Sequence, residues 1–281
     1  VFFFFFFELE SLPQESKFVV FIDEMPWLDT PISGFLSAFE YFWNNWGSSR
    51  ENLICIVCGS ATQWIVDNIS ENKGGLFNRQ SCRLYLEPFS LNETEKFLVS
   101  RGFVWSRYDI AECYMIMGGI PYYLNYLDNS LTLYQNIDAL FFKRRGLLWD
   151  EFSHLYATLF KNSPQYIKVV EALSKKRMGM TRDEIAKESG LKPNGELTKL
   201  LENLENSSFI HVYCYFGNKK KNRIYQLSDY YTLFYYKFLK NNTGTDENFW
   251  TNSLDNPSVR AWKGLSFELL CRDHINQIKR K

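Results

Sequence analysis

The sequence predicts an α/β layer with a mostly parallel sheet, followed by helical and mixed segments, and three observations predict it. Two short apolar runs rich in β-branched and aromatic residues, Phe18–Ile22 and residues 53–58, are separated by a segment with helical apolar spacing. A third short run follows at residues 83–86, and strands that alternate with helices in this way build parallel sheets. The scale comes from composition: 281 residues, of which 46% are hydrophobic and 18% aromatic, make a folded chain of about two domains.

The first run ends in Asp23-Glu24 and reads as a buried parallel strand with an acidic tip. After a turn at residues 31–34, Phe35, Leu36, Phe39, Phe42, Trp43 and Trp46 recur at helical spacing until Gly47 stops them. The second run ends in Gly59-Ser60-Ala61-Thr62, and the third, a candidate strand Arg83-Leu84-Tyr85-Leu86, closes at Pro88. From residue 92 to about 142 the pattern is helical throughout, broken once at Gly118-Gly119-Ile120-Pro121, which predicts a small helical subdomain. Beyond Pro164 come helices to about residue 176, over 181–189 with a stop at Gly190, and over 194–206, then strands at 210–216 and 223–227. Three helices followed by a hairpin is the order of a winged helix-turn-helix. Residues 230–238 read as a further helix, the polar stretch 241–257 as a linker, and 264–281 as one amphipathic helix. The expected domains are therefore 1–91, 92–150, 151–240 and 241–281.

Charge and patterning exclude several classes. Thirty-two basic and 32 acidic residues leave no net charge, so any pull toward nucleic acid or an anionic membrane is local. No stretch approaches the roughly eighteen apolar residues that span a bilayer, because Glu8 and Glu10 end the run from Phe2 to Phe7. No membrane partner is expected. A basic, apolar and small-residue signal sequence is also missing around Val1, which makes the cytoplasm the expected compartment. The six cysteines are scattered, and Cys55 and Cys58, though spaced C-x-x-C, lack a second ligand pair and read as core residues. His154, His211 and His274 have no metal-ligand spacing, and His274 reads as a surface residue of its helix.

Chemistry concentrates at the strand tips. Adjacent carboxylates at the carboxyl end of a parallel strand sit where open α/β sheets bind ligands. Asp23 and Glu24 suit a magnesium nucleotide, one holding the metal through water and the other orienting the attacking water, or else they cap the next turn. Ser60, one strand over, either hydrogen-bonds that water or the γ-phosphate or caps a helix. Arg79 follows Gly74-Gly75 and either reaches a phosphate or is an exposed loop residue.

Together these residues resemble the archaeal-type ATPase family of prokaryotes, P-loop NTPases of the AAA-related group. The resemblance rests on Phe21-Ile22-Asp23-Glu24-Met25-Pro26-Trp27-Leu28-Asp29, Val57-Cys58-Gly59-Ser60-Ala61-Thr62, Leu76-Phe77-Asn78-Arg79, Leu86-Glu87-Pro88-Phe89 and Gly118-Gly119-Ile120-Pro121-Tyr122-Tyr123. It implies that Asp23 and Glu24 are the Walker B pair, with Asp23 toward magnesium, that Ser60 is the sensor-1 residue, and that Arg79 is the family's arginine. It implies ATP and magnesium as cofactors, a partial P-loop NTPase sheet, a lid containing Gly118 to Tyr123, a winged helix, and the start of a nuclease-like α/β domain with Glu268 near its site. An oligomer in which Arg79 acts across an interface is compatible with it.

The sequence departs from the family at one point. No G-x-x-x-x-G-K-[ST] loop occurs among the 15 glycines, and that loop supplies most of the grip on phosphates. The family places it upstream of the Walker B strand, so the chain reads as a fragment whose parent binds and hydrolyses ATP, itself binding it weakly or not at all. The family's strand order also implies an open edge on the strand at residues 83–86. The winged helix carries the alternative reading, a DNA- or protein-binding module on a degenerate ATPase scaffold. Its third helix is acidic, with Glu196, Glu202 and Glu205 against Lys199, whereas Lys219, Lys220, Lys221 and Arg223 cluster at the hairpin, either for phosphates or as a solvated tip.

Overall fold

The computed structural model describes residues 6–9, 11, 13, 15–60, 62–70, 74–160, 162–214 and 223–280, with only the backbone at 62 and 63. The chain divides into two compact units, Val1–Tyr85 and Leu86–Lys281.

In the first unit, β1 (Phe18–Ile22) pairs in parallel with β2 (Leu53–Val57), Ile22 lying opposite Val57. Between them run a single turn, α1 (Met25–Leu28), and α2 (Phe35–Asn45). β2 leads into α3 (Thr62–Ile65), which continues as a π-turn over Val66–Ser70. α2 forms because Phe35, Ala38, Phe39 and Phe42 fall on one face, and all four are buried in one cluster with Val20 and Ile22 of β1. Burial of each phenylalanine stabilises by about 1.5–3 kcal/mol. Phe6, helical with residues 7–9, joins this cluster and stacks on Phe42 at 4.6 Å between ring centroids.

Two expectations fail here. β1 and β2 are buried on one face only: Val19, Phe21, Ile54 and Ile56 are exposed. Side chains alternate across a strand, so a helix layer on one side covers only every second residue. Residues 83–86 form no strand, and Leu84 and Leu86 are exposed. Among the described residues no backbone pairs with them, and an apolar run without a neighbour gains no ladder hydrogen bonds to hold it extended.

The second unit begins with α4 (Leu91–Ser100), α5 (Arg107–Met117), α6 (Pro121–Asn125) and α7 (Leu133–Ile137), the last extended by a π-turn over Asp138–Phe142. α4, α5 and α7 each start with a capping box, Ser90 with Glu93, Ser106 with Asp109 and Thr132 with Gln135. Then follow α8 (Glu151–Leu159), α9 (Ser163–Ser174), β3 (Met180–Thr181), α10 (Arg182–Ser189) and α11 (Gly195–Asn206). β4 (Ile210–Cys214) and β5 (Arg223–Leu227) complete an antiparallel sheet of order β3-β5-β4, with Val212 opposite Tyr225. The apolar face of α11, with Leu197, Leu200, Leu201 and Leu204, lies in the core. α12 (Tyr230–Phe234) runs into a π-turn over Tyr235–Leu239.

The stretch 241–257 is not a free linker. It contains α13 (Phe249–Asn252), whose Trp250 is 1% exposed and packs on Phe142, Phe234, Phe238 and Trp262. The buried Asp138 carboxylate caps α13 by accepting the Trp250 and Thr251 N–H groups at 2.7 and 3.0 Å. A polar composition hid one large aromatic anchor. The final helix starts earlier than expected, as α14 (Pro257–Asp273), and breaks at His274 before α15 (Ile275–Lys279). Val259, Trp262, Leu269 and Leu270 of α14 belong to the same core as α5, and Lys263 pairs with the buried Glu112 at 2.8 Å. Among the described residues no helix is long and apolar enough to cross a membrane.

Candidate functional site

The acidic tip of β1 is fixed by the neighbouring strand. The Cys58 N–H donates to the Ile22 carbonyl at 3.0 Å and the Met25 N–H to the Cys58 carbonyl at 2.9 Å, so the ladder continues past the end of β2 and flanks Asp23. Met25 and Pro26 are buried, which anchors the turn that follows. Between them and the strand, Glu24 adopts a left-handed conformation, φ 47° and ψ 45°. For an L-residue this costs about 1–2 kcal/mol. Ser60 offsets it: its N–H and its hydroxyl both donate to Glu24 Oε2, at 3.2 and 3.0 Å. Hydrogen bonds to a charged group are worth about 1.5–3 kcal/mol each, enough to hold the strained residue. Gly59 is required beside it, because a Cβ there would lie 2.5 Å from Pro26 Cδ.

Asp23 is exposed, and its Oδ1 accepts the Glu24 N–H at 3.1 Å and the Cys58 thiol at 2.6 Å. Burial pushes the Cys58 thiol up, and the hydrogen bond to Asp23 pushes it the same way, so the thiol stays protonated and donates. Cys58 is thus a neighbour of the site rather than the core residue the sequence suggested. The C-x-x-C spacing signals nothing redox-active. An odd separation along an extended segment sends the two thiols to opposite faces, and burial pushes Cys55 up to about 11. Below the carboxylates, Trp64 Nε1 donates to Asp29 Oδ2 at 3.1 Å and ties α3 to the end of α1.

Asp23, Glu24 and Ser60, three of the residues singled out by sequence, are therefore brought together with Cys58. Arg79 is not joined to them by any hydrogen bond among the described residues. It is exposed, on a loop anchored to α2 by buried Leu76 and by Asn44 Nδ2 donating to the Gly75 carbonyl at 2.8 Å. Arg223 opens β5 and is exposed, Lys219, Lys220 and Lys221 lie outside the described residues, and Glu268 is exposed on α14. His274 is partly buried and hydrogen-bonded rather than a plain surface residue.

Asp23 Oδ2 makes no hydrogen bond among the described residues, and a free carboxylate oxygen suits magnesium, which takes one or two carboxylates and completes its shell with phosphate oxygens and water. No group of three His, Cys, Asp or Glu that could hold a metal occurs among the described residues. The donors here fit a cation that arrives with oxygens of its own, not a caged ion.

No protein-family model and no curated protein matches the sequence. Among solved structures, the chain is similar to a Walker-type ATPase of Pyrococcus abyssi, at 20% identity and a TM-score of 0.50. The match covers 77% of this chain and 62% of that one, so the chain spans less than two thirds of its neighbour's length. The likeness is one of fold: this chain is a mixed α/β structure with a small parallel sheet and is similar in fold to that Walker-type ATPase.

Proposed function

We propose that the chain carries the hydrolytic side of an AAA-type ATP site, with the tips of β1 and β2 turned toward a magnesium nucleotide whose phosphates are cradled by a loop not among these residues. The observation that carries this reading is the Glu24–Ser60 pair, a strained carboxylate held by the hydroxyl of the adjacent strand. Magnesium at such a site offsets the charge that builds up on the phosphates. Asp23 offers it Oδ2, through water. Glu24, steadied at Oε2 by Ser60, uses Oε1 to orient a water and accept its proton. Arg79 supplies positive charge to the phosphates, within its own subunit or across an oligomer interface. Without a glycine-lysine loop these residues alone hold ATP weakly, with Kd above about 1 mM.

Magnesium-dependent ATP turnover of the intact protein tests the reading. Glu24→Gln lowers kcat by about a hundredfold or more and leaves nucleotide binding in place. Equal turnover in both proteins rejects Glu24 as the water-orienting base.

A second reading has its own support in the order of α9, α10, α11 and the β4–β5 hairpin, that of a winged helix that docks on DNA or on a protein. The exposed face of α11 is acidic, so DNA contact would fall to Lys219, Lys220, Lys221 and Arg223. Changing the three lysines to alanine then weakens duplex binding and flattens its salt dependence. No change would leave protein docking as the module's role.

A further inference from the structure

We propose that His274 is a proton-sensitive clasp through which the end of α14 holds the segment that enters the second unit, residues 86–91. Leu91 is the first residue of α4, and the first N–H groups of a helix have no partner within it. The capping hydroxyl of Ser90 serves Glu93 instead. The Leu91 N–H donates to His274 Nε2 at 2.9 Å, across 183 residues of sequence. The other ring nitrogen, Nδ1, lies 3.0 Å from the Leu270 carbonyl. A carbonyl only accepts, so Nδ1 carries the proton and Nε2 the lone pair. Both bonds exist together only in the neutral ring with that tautomer.

A second proton would sit on Nε2 and point at the Leu91 N–H, donor against donor, at the positive end of the α4 dipole. Among the described residues, the neighbouring carboxylates are already engaged. Asp273 is the nearest carboxylate in sequence, and its oxygens already take the Tyr230 hydroxyl at 2.7 Å and His211 Nε2 at 3.2 Å. Glu93 on α4 is engaged by the N–H and hydroxyl of Ser90. Arg272 donates to Gln226 Oε1. From α5, Tyr114 presents its ring to the imidazole at 5.5 Å, and burial pushes Tyr114 and Tyr230 above the usual phenol range, so both remain neutral hydroxyls.

The same segment is held a second time, two residues earlier, by groups that do not titrate in this way. The Phe89 N–H donates to the Gly119 carbonyl at 2.7 Å, and the Tyr114 hydroxyl donates to the Phe89 carbonyl at 2.9 Å. Acidification therefore frees Leu91 while Phe89 stays docked.

Amide exchange at Leu91 in the whole chain, corrected for the intrinsic pH dependence of exchange, tests the clasp. Protection at Leu91 falls about tenfold between pH 7.5 and 5.5 in the native protein, as expected for one lost hydrogen bond, while protection at Phe89 holds. His274→Gln keeps an acceptor that does not titrate, so Leu91 stays protected at both pH values; His274→Ala leaves it unprotected at both. Nitrogen NMR of the ring at pH 7.5 shows the proton on Nδ1. Constant protection in the native protein, the same fall in His274→Gln, or a proton on Nε2 at neutral pH would each overturn the proposal. Because the glutamine variant and the native protein decide the matter by themselves, an alanine variant that fails to fold does not blunt the test.

Discussion

The two units spend their aromatic residues differently. In the first, Phe6, Phe35, Phe39 and Phe42 cover one face of a two-stranded sheet, while Phe21 and Val19 stand exposed on the other. In the second, Phe142, Phe234, Phe238, Trp250 and Trp262 close around one another, the Asp138 carboxylate accepts the Trp250 backbone N–H, and the indole N–H groups of Trp250 and Trp262 are buried without a hydrogen-bond partner among the described residues. The contrast teaches where strain is tolerated. Glu24 sits at the rim of a thin core, where two hydrogen bonds from Ser60 hold the carboxylate of a residue with a left-handed backbone. The second unit instead buries long-range polar contacts such as Glu112–Lys263, and such contacts are costly to break because one partner would be left charged and unpaired.

Three measurements test the difference between the two units. Trp250→Ala carries the largest expected effect, about 3–5 kcal/mol lost in urea unfolding of residues 86–280, because a fully buried indole leaves a cavity among four other aromatic rings. A loss under about 1 kcal/mol would return α13 to the status of a loosely packed linker. Gly119→Ala comes next, at about 1–3 kcal/mol, since a Cβ at that position would meet the Phe89 carbonyl oxygen and push the entry segment away. Amide exchange at Phe89 should rise with it, and unchanged exchange would mean that the close approach relaxes freely. Phe21→Ser has the smallest expected effect, under about 0.5 kcal/mol, because its side chain is exposed. A loss as large as that of Trp250→Ala would show that the bare face of the sheet is covered in the folded protein, and the comparison would fail.

Much of the architecture was legible. The apolar runs at β1 and β2, the helical spacing of Phe35, Phe39 and Phe42, and the order of helices before the β4–β5 hairpin are all local patterns that one window of sequence contains. The strand tips were legible too, because Asp23, Glu24 and Ser60 end two apolar runs. Residues 83–86 misled for the same reason: they have a strand's pattern, but pairing is a property of a neighbour. Trp250 was missed because two adjacent aromatics, Phe249 and Trp250, in a polar stretch show no period.

What the amino-acid order determined by itself, then, was which segments coil and which extend, and that carboxylates would end β1, since propensity and periodicity act between residues a few positions apart. Only the tertiary structure decided that Glu24 turns left-handed against Ser60, that Cys58 donates to Asp23, and that Leu91 finds His274. Those contacts join residues 35 to 183 positions apart. A hydrogen bond over such a distance forms because packing elsewhere has already brought its two ends within reach, and no local stretch of sequence holds that information.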